Sequence, residues 1–143
     1  MTIFCLRSIN RFVDVLTGIT LPLCGTKNDP IAAAEEVLPG FGMTIHASML
    51  PVIPEAREYA AMGLVPAGAY KNREFRENMV TFGPQVDRVL QDISFDPQTS
   101  GGLLISIPGA QADALLAGLN ENGIPHAAII GEVTDTPEHI AMI

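Results

Sequence analysis

The sequence predicts an α+β fold, an α/β sandwich in which helices cover a mixed β-sheet and which is partly ferredoxin-like. Three observations support this prediction. Patterns typical of strands occur after residue 40 and again at the end of the chain, helical patterns lie between them, and residues 103–130 follow the order strand, helix, strand. Because the connections in that last region are short, its two strands should run parallel with a right-handed crossover.

Four helices are predicted from the spacing of apolar residues and from the residues that begin and end a helix. Asp29-Pro30 is a typical helix start, with a capping residue followed by a first-turn proline. Glycine or proline ends the first, second and fourth helical patterns, and Gly83-Pro84 precedes the third. The predicted helices cover residues 31–38, 55–62 and 85–92, and a fourth segment that ends at Asn122-Gly123.

Four strands are predicted from alternation or from short apolar runs between Gly and Pro, and they cover residues 41–47, 103–107, 127–130 and 139–143. Residues 64–69 and 95–102 are predicted loops, because Pro and Gly interrupt both segments. The pattern before residue 40 is irregular. We therefore divide the chain into a divergent amino-terminal segment, 1–40, and one domain, 41–143.

The composition excludes several classes of function. The chain has 143 residues, of which 48% are hydrophobic and 17% charged, as expected for one compact domain. With 16 acidic and 8 basic residues the net charge is -8, and no cluster of Lys or Arg interrupts it. We therefore expect no nucleic acid and no membrane as partner. An acidic protein still accepts an anionic substrate where metal ions supply positive charge.

The two cysteines, Cys5 and Cys24, are too few for a disulfide framework, so a cytoplasmic location is expected. The apolar run 12–24 follows two arginines and superficially resembles a signal peptide. Asp14 interrupts that run, and Leu23 occupies a position where cleavage requires a small residue. No apolar run is long enough to cross a membrane.

One loop carries an unusual combination of residues, in the run Asp96-Pro97-Gln98-Thr99-Ser100-Gly101-Gly102-Leu103-Leu104. Gly101 and Gly102 would let the backbone approach a ligand, Thr99 and Ser100 supply hydroxyl donors, and Asp96 could hold a cation or an amide. Together these groups suit a phosphate-bearing ligand. A tight turn capped by Asp96 would explain the same residues.

This run resembles the signature of the second domain of selenophosphate synthases, also called selenide, water dikinases. A second segment, Gly63-Leu64-Val65-Pro66-Ala67-Gly68-Ala69-Tyr70-Lys71-Asn72-Arg73-Glu74, is similar to the family's stretch of Gly-x-Val-Pro-x-Gly followed by Asn and a charged residue. The resemblance begins at about residue 43 and continues to the end of the chain. It identifies the chain as a member of the aminoimidazole ribonucleotide synthase superfamily.

The resemblance implies a function that is shared between domains. Members of the selenophosphate synthase family convert ATP, selenide and water into selenophosphate, AMP and phosphate with Mg²⁺. An amino-terminal domain dimerises and builds most of the ATP site, and the second domain covers it. Here the resemblance implies that Asp96, Thr99, Ser100, Gly101 and Gly102 lie near the nucleotide, that ATP and selenide reach the chain through an amino-terminal domain or partner chain, and that a homo-oligomer forms.

Other candidate residues match the family less well. Asp14 is the nearest counterpart of a magnesium-binding aspartate, although its Thr-Gly lies one residue too far away and the following Phe-Gly is absent. Cys24 and Lys27 have the spacing of the family's catalytic loop, but that loop belongs near the start of the complete enzyme, so no catalytic residue is assigned. The three histidines show no metal-ligand spacing. Lys71 and Arg73 could meet phosphate or form local ion pairs.

Three hypotheses follow from the sequence. The chain is the second domain of a selenophosphate synthase and inactive alone, or a non-catalytic binding or oligomerisation module derived from that domain, or a relative of the hydrogenase-maturation and thiamine-phosphate kinase enzymes. The run from Asp96 to Leu104 argues against the third. The sequence leaves open whether the gene is truncated, split or frameshifted.

Overall fold

The computed structural model describes residues 2–6, 20–22, 40–97 and 103–143, and in these residues it contains one seven-stranded mixed sheet. Along the sheet the strand order is β2-β5-β1-β6-β3-β7-β4. Strands β3, β7 and β4 run parallel to one another, whereas all other neighbours are antiparallel. The strands are β1 (Thr2–Leu6), β2 (Thr20–Pro22), β3 (Gly42–Ile45), β4 (Val80–Phe82), β5 (Leu103–Ile107), β6 (Ala127–Thr134) and β7 (Ile140–Met142).

Four α-helices lie between these strands in the part of the chain that the structure describes, and the predicted α+β class is confirmed. Short 3₁₀ helices follow β3, precede β4 and precede the last α-helix, at Ala47–Met49, Glu77–Met79 and Gly109–Gln111. No helix in the described part of the chain is long and apolar enough to cross a membrane. The α-helices are α1 (Pro54–Ala61), α2 (Ala67–Arg76), α3 (Arg88–Ser94) and α4 (Ala112–Glu121).

Most of the predicted elements are present, with shifted ends. The predicted strand 103–107 coincides with β5, and α3 begins later than predicted because the Asp87 carboxylate caps it by accepting a hydrogen bond from the Leu90 N–H at 2.8 Å. The predicted loop 64–69 is wrong from residue 67 onward, because Pro66 sits at the cap position and α2 begins directly after it. The predicted helix 31–38 lies outside the described residues.

Two pairs of parallel strands are each separated by a third strand. Strands β5 and β6 are both antiparallel to β1, which lies between them, so α4 connects two parallel strands that are not neighbours. Strands β3 and β4 are also not neighbours, because β7 lies between them and is parallel to both. The βαβ unit predicted for residues 103–130 is therefore a split unit of the ferredoxin-like type.

The core forms on both faces of the sheet. Neighbouring residues of β5 point to opposite faces, so Leu104 joins one apolar cluster and Ile105 the other. The larger cluster contains residues of β3 and β7 together with Leu90 and Phe95, and the smaller one includes residues of α4. Helix α3 and the segment after it are thereby fixed against one face.

Phe95 anchors the end of α3. Its side chain is completely buried, and its ring meets that of Phe82 edge-on, with 6.0 Å between the centroids. Just before it, the Ser94 hydroxyl donates to the Leu90 carbonyl at 2.8 Å. The chain therefore enters the predicted ligand-binding loop from a rigid, buried position.

The burial of Phe95 predicts a large loss of stability in Phe95→Ala. Removing a buried phenyl ring leaves a cavity, and we expect the free energy of unfolding in urea to fall by about 3–5 kcal/mol. Phe75→Ala is the matched control, because Phe75 is 76% exposed and such surface changes alter stability by about 0.5 kcal/mol or less. Equal losses in the two variants would contradict the assigned role of Phe95.

Candidate functional site

The two segments that carry the family resemblance meet in space. Gly68 lies at the second position of α2 and packs against Pro97, which follows α3 by three residues. A Cβ atom added to Gly68 would lie only 2.7 Å from Cγ of Pro97. The glycine is therefore required for the close approach of α2 to the segment that begins with Asp96.

Asn72 holds the backbone of that segment. It lies one helical turn after Gly68, and its Nδ2 donates a hydrogen bond of 2.9 Å to the Phe95 carbonyl. Carbonyl groups at the end of a helix have no partner within the helix, and here a side chain from α2 satisfies one. The direction of the chain into Asp96 is thus set by α2.

Arg73 joins the same two helices through charge and packing. Its Nη2 donates to Oδ1 of Asp92 at 2.6 Å, and its guanidinium lies 4.9 Å from the centroid of the Phe95 ring. The Arg73 and Asp92 side chains are only 16% and 17% exposed. Burial lowers the pKa of Arg73 and Arg88 adds to this, whereas Asp92 opposes it. An arginine still remains protonated.

The position of Arg73 changes the interpretation of its charge. Sequence analysis offered phosphate binding or local ion pairs on α2, but the partner of Arg73 is Asp92 on a different helix. Arg88 also contacts Asp92, with its Nε 3.3 Å from the carboxylate. Arg73 is therefore a structural cation that fixes α2 to α3, while Lys71 is exposed on the other side of α2.

Asp96 is the described residue of the loop with the most unusual environment. Its main-chain N–H donates to the Ile93 carbonyl at 3.0 Å, so the backbone ends α3. Its Oδ1 atom is buried and accepts no hydrogen bond from the described residues, and Ser106 Oγ is the other described side-chain atom in this condition. Burial raises the pKa of the Asp96 carboxyl. A buried carboxylate oxygen without a donor is costly and indicates a ligand or a second polar group.

The Asp96 oxygen could bind Mg²⁺, but the described residues do not form a complete magnesium site. Mg²⁺ prefers oxygen ligands and is often held by one or two carboxylates together with substrate phosphates. Asp96 supplies one such carboxylate. Within ranges 2–6, 20–22, 40–97 and 103–143, no group of three or more His, Cys, Asp or Glu could hold a metal. Asp96 thus fits as one ligand of a site completed by other groups.

Several predicted site residues lie outside the residues that the structure describes. These are Asp14, Thr99, Ser100, Gly101 and Gly102, together with Cys24 and Lys27. The nucleotide contacts of the loop therefore remain a prediction. Among the histidines, His46 and His126 are exposed, and Nε2 of His139 lies 3.2 Å from Oγ1 of Thr81.

The roles of Gly68 and Asn72 were not predicted from the sequence. Both were part of the second recognised segment, but their function depends on Pro97 and Phe95, which lie more than twenty residues away. Their spacing of four residues places them on one face of a helix, and this was the available signal. It was obscured because residues 64–69 were predicted as a loop.

A cleft lies at the end of α3 opposite to Asp96. It is an open cleft of about 550 Å³ beside the carboxyl ends of β3 and β7, and sequence analysis did not predict it. Its arginine, Arg57, is paired with Asp87, which also caps α3. Arg57 and Asp87 of this cleft therefore form an ion pair with each other. The cleft is lined by His46, Ala47, Ser48, Leu50, Val52, Arg57, Gln85, Asp87, Leu90 and Ile143.

Comparison with known proteins gives consistent results. Residues 31–143 match the family described as AIR synthase related protein, C-terminal domain. A selenide, water dikinase of Pelobacter propionicus is 51% identical over 98 residues, which cover 68% of this chain and 28% of that protein. One from Clostridium botulinum (strain Eklund 17B / Type B) is 43% identical over 135 residues, covering 91% of this chain and 39% of that protein. The chain therefore spans well under half the length of these relatives.

The similarity extends into residues 1–40. A selenide, water dikinase of Clostridioides difficile is 40% identical over 134 residues, or 91% of this chain and 35% of that protein. The family match itself begins at residue 31. In the structure, β1 and β2 from this part of the chain pair with β5 of the sheet. The division at residue 40 remains a prediction.

The environment of Asp96 predicts that Asp96→Asn stabilises the protein at neutral pH. Because the carboxyl has a raised pKa in the folded state, its ionisation weakens folding as the pH rises through that pKa. Below about pH 4 both folded and unfolded forms are protonated, so the penalty vanishes. The melting temperature of the variant should exceed that of the wild type at about pH 7.5, and the difference should shrink toward pH 4.

Asp135→Asn is the control for this comparison, because it also removes one negative charge but from an exposed side chain. We expect it to show no comparable pH-dependent gain. A lower melting temperature of Asp96→Asn than of the wild type at neutral pH would contradict the burial penalty.

The Gly68 contact predicts opposite effects for two Gly→Ala changes in helices. At Gly118 of α4 an added Cβ meets nothing within 4 Å, so helix propensity should stabilise the protein by up to about 1 kcal/mol. At Gly68 the same methyl group would overlap Pro97, and we expect a loss of about 1–3 kcal/mol. Urea denaturation of both variants measures this, and a gain for Gly68→Ala would show that Pro97 is free to move.

Proposed function

We propose, from the premise that this chain belongs to the family of AIR synthase related protein C-terminal domains, that it serves as the carboxyl-terminal domain of a selenophosphate synthase. The complete reaction would convert ATP, selenide and water into selenophosphate, AMP and phosphate. The relatives named selenide, water dikinase support this assignment. The observation that carries it is the buried oxygen of Asp96, which receives no hydrogen bond from the described residues and lies where the two recognised segments meet.

In this proposal the loop after Asp96 binds the nucleotide. The Gly101 and Gly102 N–H groups face phosphate oxygens, and the hydroxyl groups of Thr99 and Ser100 donate to them. Asp96 holds a fixed position because the Phe95 ring is buried and the Phe95 carbonyl is bound by Asn72. The chain's own contribution is thus to position a loop over phosphate groups rather than to supply a nucleophile or base.

Magnesium and ATP are the proposed cofactor and substrate of the complete enzyme. When bound, Mg²⁺ supplies the positive charge that neutralises phosphate oxygens during phosphoryl transfer. Asp96 would hold it from this chain, and Asp14 is a second candidate ligand. The net charge of this chain is -8, and bound Mg²⁺ would reduce the repulsion between such an acidic domain and ATP.

The remaining groups of the site come from another domain. Phosphoryl transfer requires in-line alignment of the reacting groups and several positive charges on the phosphates, and one carboxylate with a glycine-rich loop cannot provide these. The chain also spans only 28% and 39% of the length of the relatives described above. We therefore place ATP and selenide in a site shared with an amino-terminal domain or partner chain, in a cytoplasmic homo-oligomer.

This proposal predicts that the purified chain does not form AMP from ATP in the presence of selenide and Mg²⁺. Addition of the portion of a selenide, water dikinase that this chain does not match should restore selenide-dependent AMP formation. Chromatographic measurement of AMP, with selenide omitted as the control, tests both statements. AMP formation by the chain alone would show that it contains a complete site.

Absence of AMP from the mixture would instead favour the alternative, a non-catalytic binding or oligomerisation module derived from the same domain. Nucleotide binding by the chain alone is measured separately by thermal shift with Mg-ATP, because a ligand of the native state raises the melting temperature.

A further inference from the structure

Large apolar side chains are exposed along α1, α2 and the turn between them. Among the described residues, nine large hydrophobic side chains are exposed, and five of these lie between residues 59 and 75. Concentrations of exposed apolar surface in a soluble domain commonly mark an interaction site. The five residues are Tyr59, Met62, Leu64, Tyr70 and Phe75.

Phe75 lies next to the contact that fixes the candidate site. Gly68, Asn72 and Phe75 are separated by four and then three residues, so they form one stripe along α2. The first two contact Pro97 and the Phe95 carbonyl, whereas the Phe75 side chain remains 76% exposed. Phe75 therefore continues the stripe beyond the point where the segment 95–97 covers it.

Leu64 lies at the other end of the same region. It is 64% exposed and precedes α2, in a turn whose Leu64 N–H donates to the Tyr59 carbonyl at 2.9 Å. Met62, in the same turn, is also 64% exposed. Exposed apolar side chains thus occur both before and after the two residues of α2 that hold the segment leading into Asp96.

The Phe75 ring faces solvent and has one charged neighbour. The Arg76 guanidinium lies 5.3 Å from its centroid, within the range of a cation–π interaction. Burying such a ring in an interface would remove its apolar surface from water, which favours association. Large side chains that fill pockets of a partner are typical anchors of protein interfaces.

We propose that Met62, Leu64 and Phe75, here called the α1–α2 surface, dock the portion of the enzyme that this chain does not match. This inference rests on the proposed function. The partner is a folded domain rather than a peptide, because the relatives described above extend over more than twice the length covered by this chain. Docking there would bring the partner's phosphate-binding groups toward Asp96, since Phe75 and the residues that hold Asp96 share one helix.

The test compares Phe75→Asp with a matched control. Phe41→Asp introduces the same charge at an aromatic side chain that is 47% exposed and precedes β3, outside the α1–α2 unit. Affinity for the unmatched portion of the Pelobacter propionicus relative is measured by titration calorimetry, and circular dichroism verifies that both variants are folded. We expect Phe75→Asp to raise Kd by about tenfold or more and Phe41→Asp to leave it within about twofold.

The outcomes separate this inference from the proposed function. Unchanged affinity in Phe75→Asp, or no binding by the wild type, would overturn the α1–α2 surface. Self-association of the wild type that Phe75→Asp abolishes, seen by sedimentation, would assign the surface to a second copy and also overturn it. If the wild-type mixture forms AMP and Phe75→Asp binds with unchanged affinity, the α1–α2 surface is rejected and the proposed reaction is retained. Binding lost in the variant, with no AMP from the wild-type mixture, supports the surface and rejects the proposed reaction.

Discussion

The hydrogen bond from Asn72 to the Phe95 carbonyl determines how the chain leaves α3. On one side of this bond the Phe95 ring is completely buried in the larger core cluster, and on the other Pro97 packs against Gly68 at a distance that only glycine allows. The backbone between these contacts has little conformational freedom. The Phe95 carbonyl is hydrogen-bonded, the Phe95 ring is buried and Pro97 is packed against Gly68. The position of Asp96 is a consequence of this arrangement.

Asp96 shows a conflict between stability and function. A carboxyl group whose pKa is raised by burial weakens the folded state at neutral pH, and one of its oxygens receives no hydrogen bond from the described residues. An amide or an apolar residue would be less costly at this position. Sites that bind ligands often retain such unfavourable groups, because the missing interaction is supplied by the ligand or by a partner domain.

Local sequence patterns predicted the elements whose limits are set by local chemistry. The apolar run of β5 and the pattern of α4 with its Asn122-Gly123 end agree with the structure, since Gly123 has the positive φ of a helix terminator. Helix α2 was partly mistaken for a loop because Pro66 and Gly68 were taken as breakers. Strand β4 has only three residues and was missed, and β1 gave no clear alternation although it separates β5 from β6.

The sequence by itself determined the α+β class, the order of most elements and the two segments that identify the family, because these follow from periodicity and from short motifs. Only the tertiary structure decided that these segments touch, that Arg73 forms an ion pair with Asp92 on another helix, and that one buried oxygen of Asp96 receives no hydrogen bond from the described residues. Such facts depend on pairs of residues far apart in the chain. The burial of a side chain and the identity of its hydrogen-bond or ion-pair partner depend on how the helices pack. The spacing of residues along the sequence does not predict them.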